Sequence, residues 1–182
     1  MLKTSIIGWL SRAARDQRGV SAVEFAFLAP VMIGLYLGCA EIADGVAADR
    51  KVSLASAALT NLAAQVTTIS AADMTNIFDA STAIIAPYSA SKLKMTVTCI
   101  KIDANQVATV MWSQTRGGTV NSGTMTIPSA LAVANSWLLF AEASYDYTPT
   151  VGYTITGMLT LADKMYMSPR ISAPTYDVTA CT

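Results

Sequence analysis

Few side chains in this 182-residue sequence could carry out enzyme chemistry. Histidine is absent, which removes the usual general base, the Ser-His triads and most zinc sites. Ser89 and Lys92 match an S-x-x-K nucleophile motif, but its partner motifs S-D-N and K-T-G are missing. The glycines form no phosphate-binding G-x-x-x-x-G-K-[ST] loop, and the acidic residues lack calcium-loop spacing. We therefore predict no catalytic, cofactor-binding or metal-binding residues and expect a protein that is not an enzyme.

Glu24 is the most informative charged residue because its neighbours are apolar. It lies five residues past Gly19, and no residue from 25 to 40 is charged. An isolated carboxylate at membrane depth is costly, so it normally has a partner or a proton. Two interpretations remain open. Glu24 is a boundary residue that reaches water, or it neutralises a cation on the same or a neighbouring helix. Cleavage after Gly19 would create such a cation, the α-ammonium of Val20.

The element that carries Glu24 is a long apolar segment. Residues 22–40 would span about 28 Å as a helix, the thickness of a hydrocarbon core. Four basic residues precede the segment and acidic residues follow it, so the positive-inside rule places the N-terminus in the cytoplasm and the chain after about Gly45 outside. Ala40 and Ala43 resemble the cut site of a secretory signal, but the apolar segment continues directly into a helical pattern.

Small residues recur every four positions along this segment, at Ala22, Ala26, Pro30, Gly34 and Gly38. Such a stripe lets helix backbones approach closely, and Gly34 and Gly38 form a G-x-x-x-G step. Glycine is also common in membrane helices, so close packing and ordinary composition are both possible explanations. Pro30 removes one backbone hydrogen bond and should bend or loosen the helix.

The remainder of the chain is weakly acidic. Eight basic and eleven acidic residues follow position 19, a net charge of −3. No basic patch with interleaved aromatic residues occurs, so we expect no binding to nucleic acid. Arg116, Tyr145, Tyr147 and Tyr153 are candidates for exposed contacts, with a solvated loop and ordinary core aromatics as the alternatives.

An apolar pattern predicts that the first helix continues beyond the membrane. Its members are spaced by three and four residues, with Ser56 and Thr60 on other faces: Val52, Ala55, Leu59, Leu62 and Val66. We favour one continuous helix over residues 22–66, about 65 Å long. Two helices broken at Gly45 are the alternative.

The rest of the sequence predicts an α+β fold. A second helix would be capped by Ser70 or Asp73 and stopped by Pro87, and a short helix would follow Pro128 over residues 129–134. Alternating residues predict a small antiparallel sheet of about four strands, the first two forming a hairpin: residues 93–99, 107–114, 137–147 and 165–167. Helices before strands indicate a long N-terminal helix packed on this sheet.

The three cysteines differ in their expected surroundings. Cys39 lies in the apolar segment and is interpreted as a small apolar residue. Cys99 and Cys181 both fall in the part expected outside the cytoplasm, where disulfides persist. A Cys99–Cys181 bond would tie the C-terminus to a central strand. Two free thiols are the alternative.

The N-terminal residues resemble a known family. A basic leader, a glycine and V-S-A-V-E-F at residues 20–25 resemble the prepilin cleavage site of the type IV pilin superfamily. More narrowly, R-G-V-S-A-V-E-F-A-F-L-A-P at residues 18–30 is similar to the TadE-like minor pseudopilins of the tight-adherence (Tad/Flp) pilus. A-S-Y-D-Y-T-P at 143–149 and M-S-P-R at 167–170 are shorter matches, and the middle of the chain carries no family motif. Val20 and Ser21 stand where smaller residues are more usual.

The resemblance implies a pilin-like fold with three parts: a cytoplasmic prepilin leader (residues 1–19), a transmembrane helix (20–45) and an extracytoplasmic α+β head (46–182). A prepilin peptidase would cut between Gly19 and Val20, and Glu24 and Phe25 would guide assembly. Pro30, Gly34 and Gly38 would pack against other helices.

The implied protein is a minor pilin or pseudopilin that acts in assembly, in initiation or at the tip of a Tad-type pilus used for surface attachment. It would cross the bacterial inner membrane once, with its head in the periplasm, before incorporation into an extracellular pilus. Its partners would be the inner membrane, the peptidase, other pilins and minor pilins, an ATPase and the assembly platform.

Two other functions are compatible with the sequence. An uncleaved, membrane-anchored periplasmic binding or sensor domain would keep its leader, and Glu24 would then be an interface residue only. An anchored hydrolase would require a cleft in the head with a pair of acids whose pKa values are perturbed.

Overall fold

A computed structural model describes residues 18–149, 157–177, 179 and 181 of the chain. Helix α1 (Arg18–Ala64) is followed by strand β1 (Thr68–Ile69) and helix α2 (Ala71–Ala83). Four long strands follow, and a two-residue strand comes last: β2 (Leu93–Ile102), β3 (Ala108–Arg116), β4 (Ser136–Tyr147), β5 (Leu159–Met167) and β6 (Thr175–Tyr176). The α+β prediction is confirmed, with the long helix packed on an antiparallel four-stranded sheet.

Helix α1 is continuous over 47 residues, which corresponds to a length of about 70 Å. It passes through Pro30 and Gly45 without interruption, so the single-helix prediction is confirmed. The described part of the helix already includes Arg18, ahead of the predicted start at residue 22, and the helix ends at Ala64 rather than at residue 66. Its C-terminal half packs against β4 and β5, whereas its N-terminal half projects away from the sheet.

The buried face of α1 is wider than the sequence pattern indicated. Val52, Ala55 and Leu59 are buried as predicted, but Ser56 and Thr60 are fully buried as well. The Thr60 hydroxyl donates to the Ser56 carbonyl oxygen (2.7 Å), and the Ser56 hydroxyl donates to Asp163 Oδ2 on β5 (2.9 Å). Their positions on other faces of the helix than the apolar pattern are therefore also buried, because hydrogen bonds made inside the fold compensate for the lost hydration of their hydroxyls.

Helix α2 begins at a capping box. Ser70 accepts from the Asp73 backbone N–H, and Asp73 accepts from the Ser70 backbone N–H, both at 3.1 Å. The hydrogen bonds from Ser70 also lower the pKa of Asp73. The helix ends at Ala83, before Pro87, and its buried face consists of Met74, Ile77, Phe78 and Ser81.

The sheet has the order β3-β2-β4-β5, and all neighbours are antiparallel. The predicted hairpin is confirmed as β2 and β3, with a register shift between Cys99 and Ile100. One face of the sheet packs on the helices. The other face carries a smaller apolar cluster covered by the segment between β3 and β4: Ile100, Ile102, Ala108, Leu138 and Phe140.

Three elements differ from the sequence prediction. Strand β5 covers nine residues, whereas only residues 165–167 were expected, because its polar positions gain their strand partners from β4. The predicted helix over residues 129–134 is a single 3₁₀ turn, Ser129–Leu131. The parallel pair of β1 and β6 was not expected, since two-residue strands that lie more than 100 positions apart leave no local pattern.

The Cys99–Cys181 disulfide is formed, with the two Cα atoms 6.3 Å apart. Both cysteines are fully buried. A buried hydrogen bond from Trp112 Nε1 to the Pro174 carbonyl oxygen (2.9 Å) holds the preceding segment to β3. The C-terminal segment is therefore fastened to the sheet at two points.

Replacement of Cys181 by serine should lower the free energy of unfolding of the head by about 4 kcal/mol. The disulfide closes a loop across a sequence separation of 82 residues. Without the disulfide, the unfolded chain regains the conformational entropy of this loop, which favours unfolding. Denaturant unfolding of the full chain in detergent micelles measures the change. Cys39→Ser is the matched control, because Cys39 is exposed and free. Equal midpoints for Cys181→Ser and the native chain would contradict the stabilising role.

Candidate membrane and assembly helix

The N-terminal half of α1 exposes an unusually large apolar surface. Ten large hydrophobic residues between positions 20 and 36 are each 54–76% exposed: Val20, Val23, Phe25, Phe27, Leu28, Val31, Met32, Ile33, Leu35 and Tyr36. Contiguous apolar surface of this kind marks a site of contact with other proteins or with lipid. We call residues 19–40 the bare half of α1.

The bare half meets the length and composition requirements of a membrane-spanning helix. Its best 18-residue window has a mean hydropathy of 1.9, and none of that window is buried. In the described part of the chain, α1 is the one helix with these properties. Such a helix serves either as a membrane anchor or as a signal sequence.

The predicted processing site lies in the first turn of α1. Gly19 and Val20 are exposed, and apart from the chain neighbours and the adjacent backbone of the same helix no atom lies within 4 Å of the position that a Gly19 side chain would occupy. Glu24, one helical turn after Val20, is also exposed and has no ion-pair partner in the part of the chain that the structure describes. A counter-charge for Glu24 would therefore have to come from outside these residues.

Pro30, Gly34 and Gly38 share one face of the bare half. Together with Val31, Leu35, Cys39 and Ile42 they line a groove of about 570 Å³. The absence of side chains at the two glycines makes the groove deep enough to accept a ridge of another helix. Helix packing at this groove remains a prediction.

Asp44 joins the base of the bare half to the head. The Tyr88 hydroxyl donates to Asp44 Oδ1 (2.8 Å) and lies 3.1 Å from the Asp44 carbonyl oxygen. The Tyr147 hydroxyl donates to Asp44 Oδ2 (2.9 Å). We call these three residues the Asp44 cluster. No sequence pattern predicts this cluster, because nothing local relates an aspartate in α1 to tyrosines 44 and 103 positions away.

Burial and the Asp44 carboxylate change the acidity of both tyrosines. The pKa of Tyr88 and that of Tyr147 rise to about 12, first because burial disfavours the phenolate and then because each hydroxyl donates to Asp44. The hydroxyls therefore stay protonated, and the hydrogen bonds stay intact, well above neutral pH.

Of the other candidate contact residues, two tyrosines are buried in the core and Arg116 is paired with an aspartate. Tyr145 and Tyr147 are 4% and 3% exposed, which confirms the core-aromatic interpretation, and Tyr153 lies outside the described residues. The Arg116 side chain is not simply solvated: it pairs with Asp79 (2.6 Å) and lies 5.3 Å from the centre of the Phe78 ring. These contacts fasten the end of β3 to α2.

The two residues of the S-x-x-K motif make hydrogen bonds to different partners. The Ser89 hydroxyl contacts the Ser91 hydroxyl (2.9 Å), whereas Lys92 Nζ donates to the Thr148 hydroxyl (2.6 Å), and both contacts are exposed. Within the described ranges, no group of three or more cysteine, aspartate or glutamate residues is placed to hold a metal ion.

Comparisons with protein-family models, with curated proteins and with solved structures find no match to this chain. The site is therefore interpreted from its own geometry.

The Asp44 cluster predicts how the stability of the head depends on pH. Because the tyrosine pKa values are higher in the folded protein than the ordinary 10.0, the stabilisation is complete below about pH 10 and is lost as the pH rises through about 12. Tyr147→Phe should lower the free energy of unfolding by about 1 kcal/mol at neutral pH and weaken its decline above pH 10. Denaturant unfolding at a series of pH values measures both effects.

Tyr166→Phe is the control for that variant. The Tyr166 ring contacts Phe140, and its hydroxyl makes no hydrogen bond within the described part of the chain. This variant should leave the stability and its pH dependence unchanged. Identical pH profiles for Tyr147→Phe and Tyr166→Phe would show that the Asp44 cluster does not stabilise the head.

Proposed function

We propose that the protein is a minor pilin or pseudopilin, similar to the TadE-like proteins of the Tad pilus, which is anchored in the bacterial inner membrane and then assembled into a filament or its tip complex. One observation carries this proposal. A single continuous helix is bare over its N-terminal half and packed on an antiparallel sheet over its C-terminal half. A subunit of this form can move from a membrane to a helical bundle without refolding its head.

The exposed side chains of the bare half support the proposed transfer from the membrane to a bundle of helices. Lipid tails and the side chains of neighbouring helices are comparably apolar, so little hydrophobic free energy is lost when residues such as Phe25 and Phe27 leave the membrane. The groove along Pro30, Gly34 and Gly38 supports close contact between helices in the assembled state. The pilin-like form of the subunit is part of this proposal.

The charge distribution and the disulfide support the proposed topology. Lys3, Arg12, Arg15 and Arg18 precede the bare half, which favours a cytoplasmic N-terminus. The Cys99–Cys181 disulfide favours an oxidising compartment for the head, such as the periplasm. The proposed chain therefore crosses the inner membrane once, with its leader inside and its head outside.

Glu24 would control the register of assembly. A prepilin peptidase that cuts between Gly19 and Val20 creates an α-ammonium in an apolar environment, where an opposite charge is strongly attracted. The Glu24 carboxylate of a neighbouring subunit can supply that charge. A subunit in the wrong register would leave both charges buried without partners, which is costly.

The size of the head favours a minor role in the filament. Residues 46–182 are available for it, which is more than a bulk subunit of a Tad filament would require if the resemblance holds. We therefore place the protein in initiation or at the tip, where it contributes to surface attachment. Its partners would be the prepilin peptidase, other pilins and minor pilins, an assembly ATPase and the platform protein.

Processing after Gly19 is the first test of this proposal. Protein extracted from the membranes of cells that express the native gene should begin at Val20, as measured by N-terminal sequencing and intact mass. Gly19→Val should block the cut. Because the space around Gly19 is open, this substitution should leave the unfolding midpoint of the head unchanged. A native chain that begins at Met1 would instead support an uncleaved anchored binding or sensor domain.

Glu24→Gln tests the pairing of charges. The variant keeps the shape of the side chain and should still be cut after Gly19, but its amount in sheared filaments should fall at least about tenfold, because a neutral amide cannot neutralise the Val20 ammonium. Quantitative immunoblotting of filament and membrane fractions measures the loss.

Asp49→Asn is the matched control for Glu24→Gln. Asp49 is an exposed carboxylate of α1 beyond the bare half, so its neutralisation should leave incorporation unchanged. Native incorporation of Glu24→Gln would contradict the charge-pairing mechanism, while a cut at Gly19 would still support processing.

A further inference from the structure

A cleft of about 710 Å³ opens at the end of the head opposite to the bare half of α1. Three segments form it: Thr67 just after α1, residues 135–137 at the start of β4, and the chain from Ser168 to Thr175. Its volume lies within the range of about 300–1,000 Å³ that is typical of small-molecule sites. The cleft plays no part in the proposed anchoring or assembly.

The walls of the cleft are held in place by the fold. The Thr175 N–H donates to the Thr67 carbonyl oxygen (3.0 Å), and the Arg170 N–H donates to the Ala64 carbonyl oxygen at the end of α1 (3.1 Å). Behind the cleft, Trp112 Nε1 donates to the Pro174 carbonyl oxygen. A site that is already formed loses less conformational entropy when a ligand binds.

The lining of the cleft has no charged side chain, and its polar groups lie within a mainly apolar surface. Six of its residues carry hydroxyl or amide groups: Thr67, Asn135, Ser136, Ser168, Ser172 and Thr175. The Ser136 hydroxyl already donates to the Val133 carbonyl oxygen (2.6 Å) and the Thr175 hydroxyl to the Thr67 carbonyl oxygen (3.4 Å), so these two hydroxyl oxygens can only accept from a ligand. Arg170, which follows the lining residue Pro169, is directed elsewhere, because its guanidinium donates to Asn61 Oδ1 on α1 (2.7 Å). Recognition of phosphate or carboxylate normally uses charge-assisted hydrogen bonds, which this lining does not provide.

The apolar part of the lining includes Trp137, Pro169 and Ile171. Ile171 is 73% exposed at the rim. The Trp137 Nε1–H is buried and has no acceptor among the described residues, in contrast to that of Trp112. A buried donor without an acceptor is unfavourable. A ligand oxygen that accepted this hydrogen bond after a small shift of the indole would therefore strengthen binding at this site.

We propose that this cleft binds a neutral saccharide. A sugar ring presents several hydroxyl groups that both donate and accept, matching the serine, threonine and asparagine side chains, and its C–H surfaces match the tryptophan, proline and isoleucine side chains. An anionic ligand would meet no charged side chain among the lining residues, and a purely apolar ligand would leave the buried Trp137 Nε1–H without an acceptor. The inference stands on the described head alone and does not depend on the proposed pilin function.

The test uses the full chain in micelles of a detergent without a sugar headgroup. The chain contains three tryptophans, so a ¹⁵N-labelled sample gives few indole N–H signals, and Trp137→Phe identifies the one from the cleft. The probes are chitotriose, cellotriose and maltotriose, with the anionic trisaccharide 3′-sialyllactose and a proline-rich decapeptide as competitors of other chemistry. At least one neutral trisaccharide should move the Trp137 signal downfield in a saturable titration.

Asn135→Gly is the variant that tests the site. Asn135 has φ 56°, which glycine adopts without strain, so the variant loses the amide from the cleft while the backbone is retained. It should weaken binding of the neutral sugar about tenfold, the usual effect of one lost hydrogen bond. Gln106→Gly is the matched control: Gln106 has φ 64° and lies outside the lining of the cleft, so sugar binding should be unchanged.

Three results would overturn the proposal. The first is that no neutral trisaccharide moves the Trp137 signal, even when the sugar is added up to its solubility limit. The second is that the proline-rich peptide or 3′-sialyllactose alone does so, which would make the cleft a peptide site or an anion site. The third is that binding is the same in Asn135→Gly as in Gln106→Gly, which would place the sugar elsewhere on the head.

Discussion

The continuity of α1 is the constraint on which the rest of the structure depends. One helix of 47 residues has to satisfy two different surroundings, because its first half exposes large apolar side chains while its second half buries Val52, Ala55 and Leu59 against the sheet. Neither Pro30 nor Gly45 interrupts it. The head and the bare half are therefore joined without a break in the helix.

Two carboxylates, Glu24 near the start of the bare half and Asp44 just beyond its end, have different surroundings. Glu24 is exposed and lacks an ion-pair partner within the described ranges, whereas Asp44 accepts hydrogen bonds from two tyrosines of the head. The Asp44 cluster thus fastens the head to the helix just beyond the bare half. A charge that is satisfied within the chain stabilises its fold, and in the proposed function the open charge of Glu24 would contact a neighbouring chain.

The C-terminal segment determines the form of the opposite end of the head. The disulfide to β2, the Trp112 hydrogen bond and the pairing of β6 with β1 hold this segment across the end of α1. The cleft that results faces away from the bare half. Anchoring and recognition would therefore occupy opposite ends of one rigid subunit and would not compete for the same surface.

The sequence by itself determined the features that depend on local pattern. Steps of three and four residues identified both helices, and alternation identified β2, β3 and β4. The two cysteines outside the apolar segment made the disulfide one of two open possibilities, and the structure shows it formed. The apolar segment with its lone Glu24 was likewise evident from residue order alone. Only the tertiary structure decided that Ser56 and Thr60 are buried, that β5 extends over nine residues, and that Asp44 meets Tyr88 and Tyr147. The reason is physical: a hydroxyl, a carboxylate or a polar strand residue is stable in the interior only when a partner is present, and these partners lie tens of residues away in the chain.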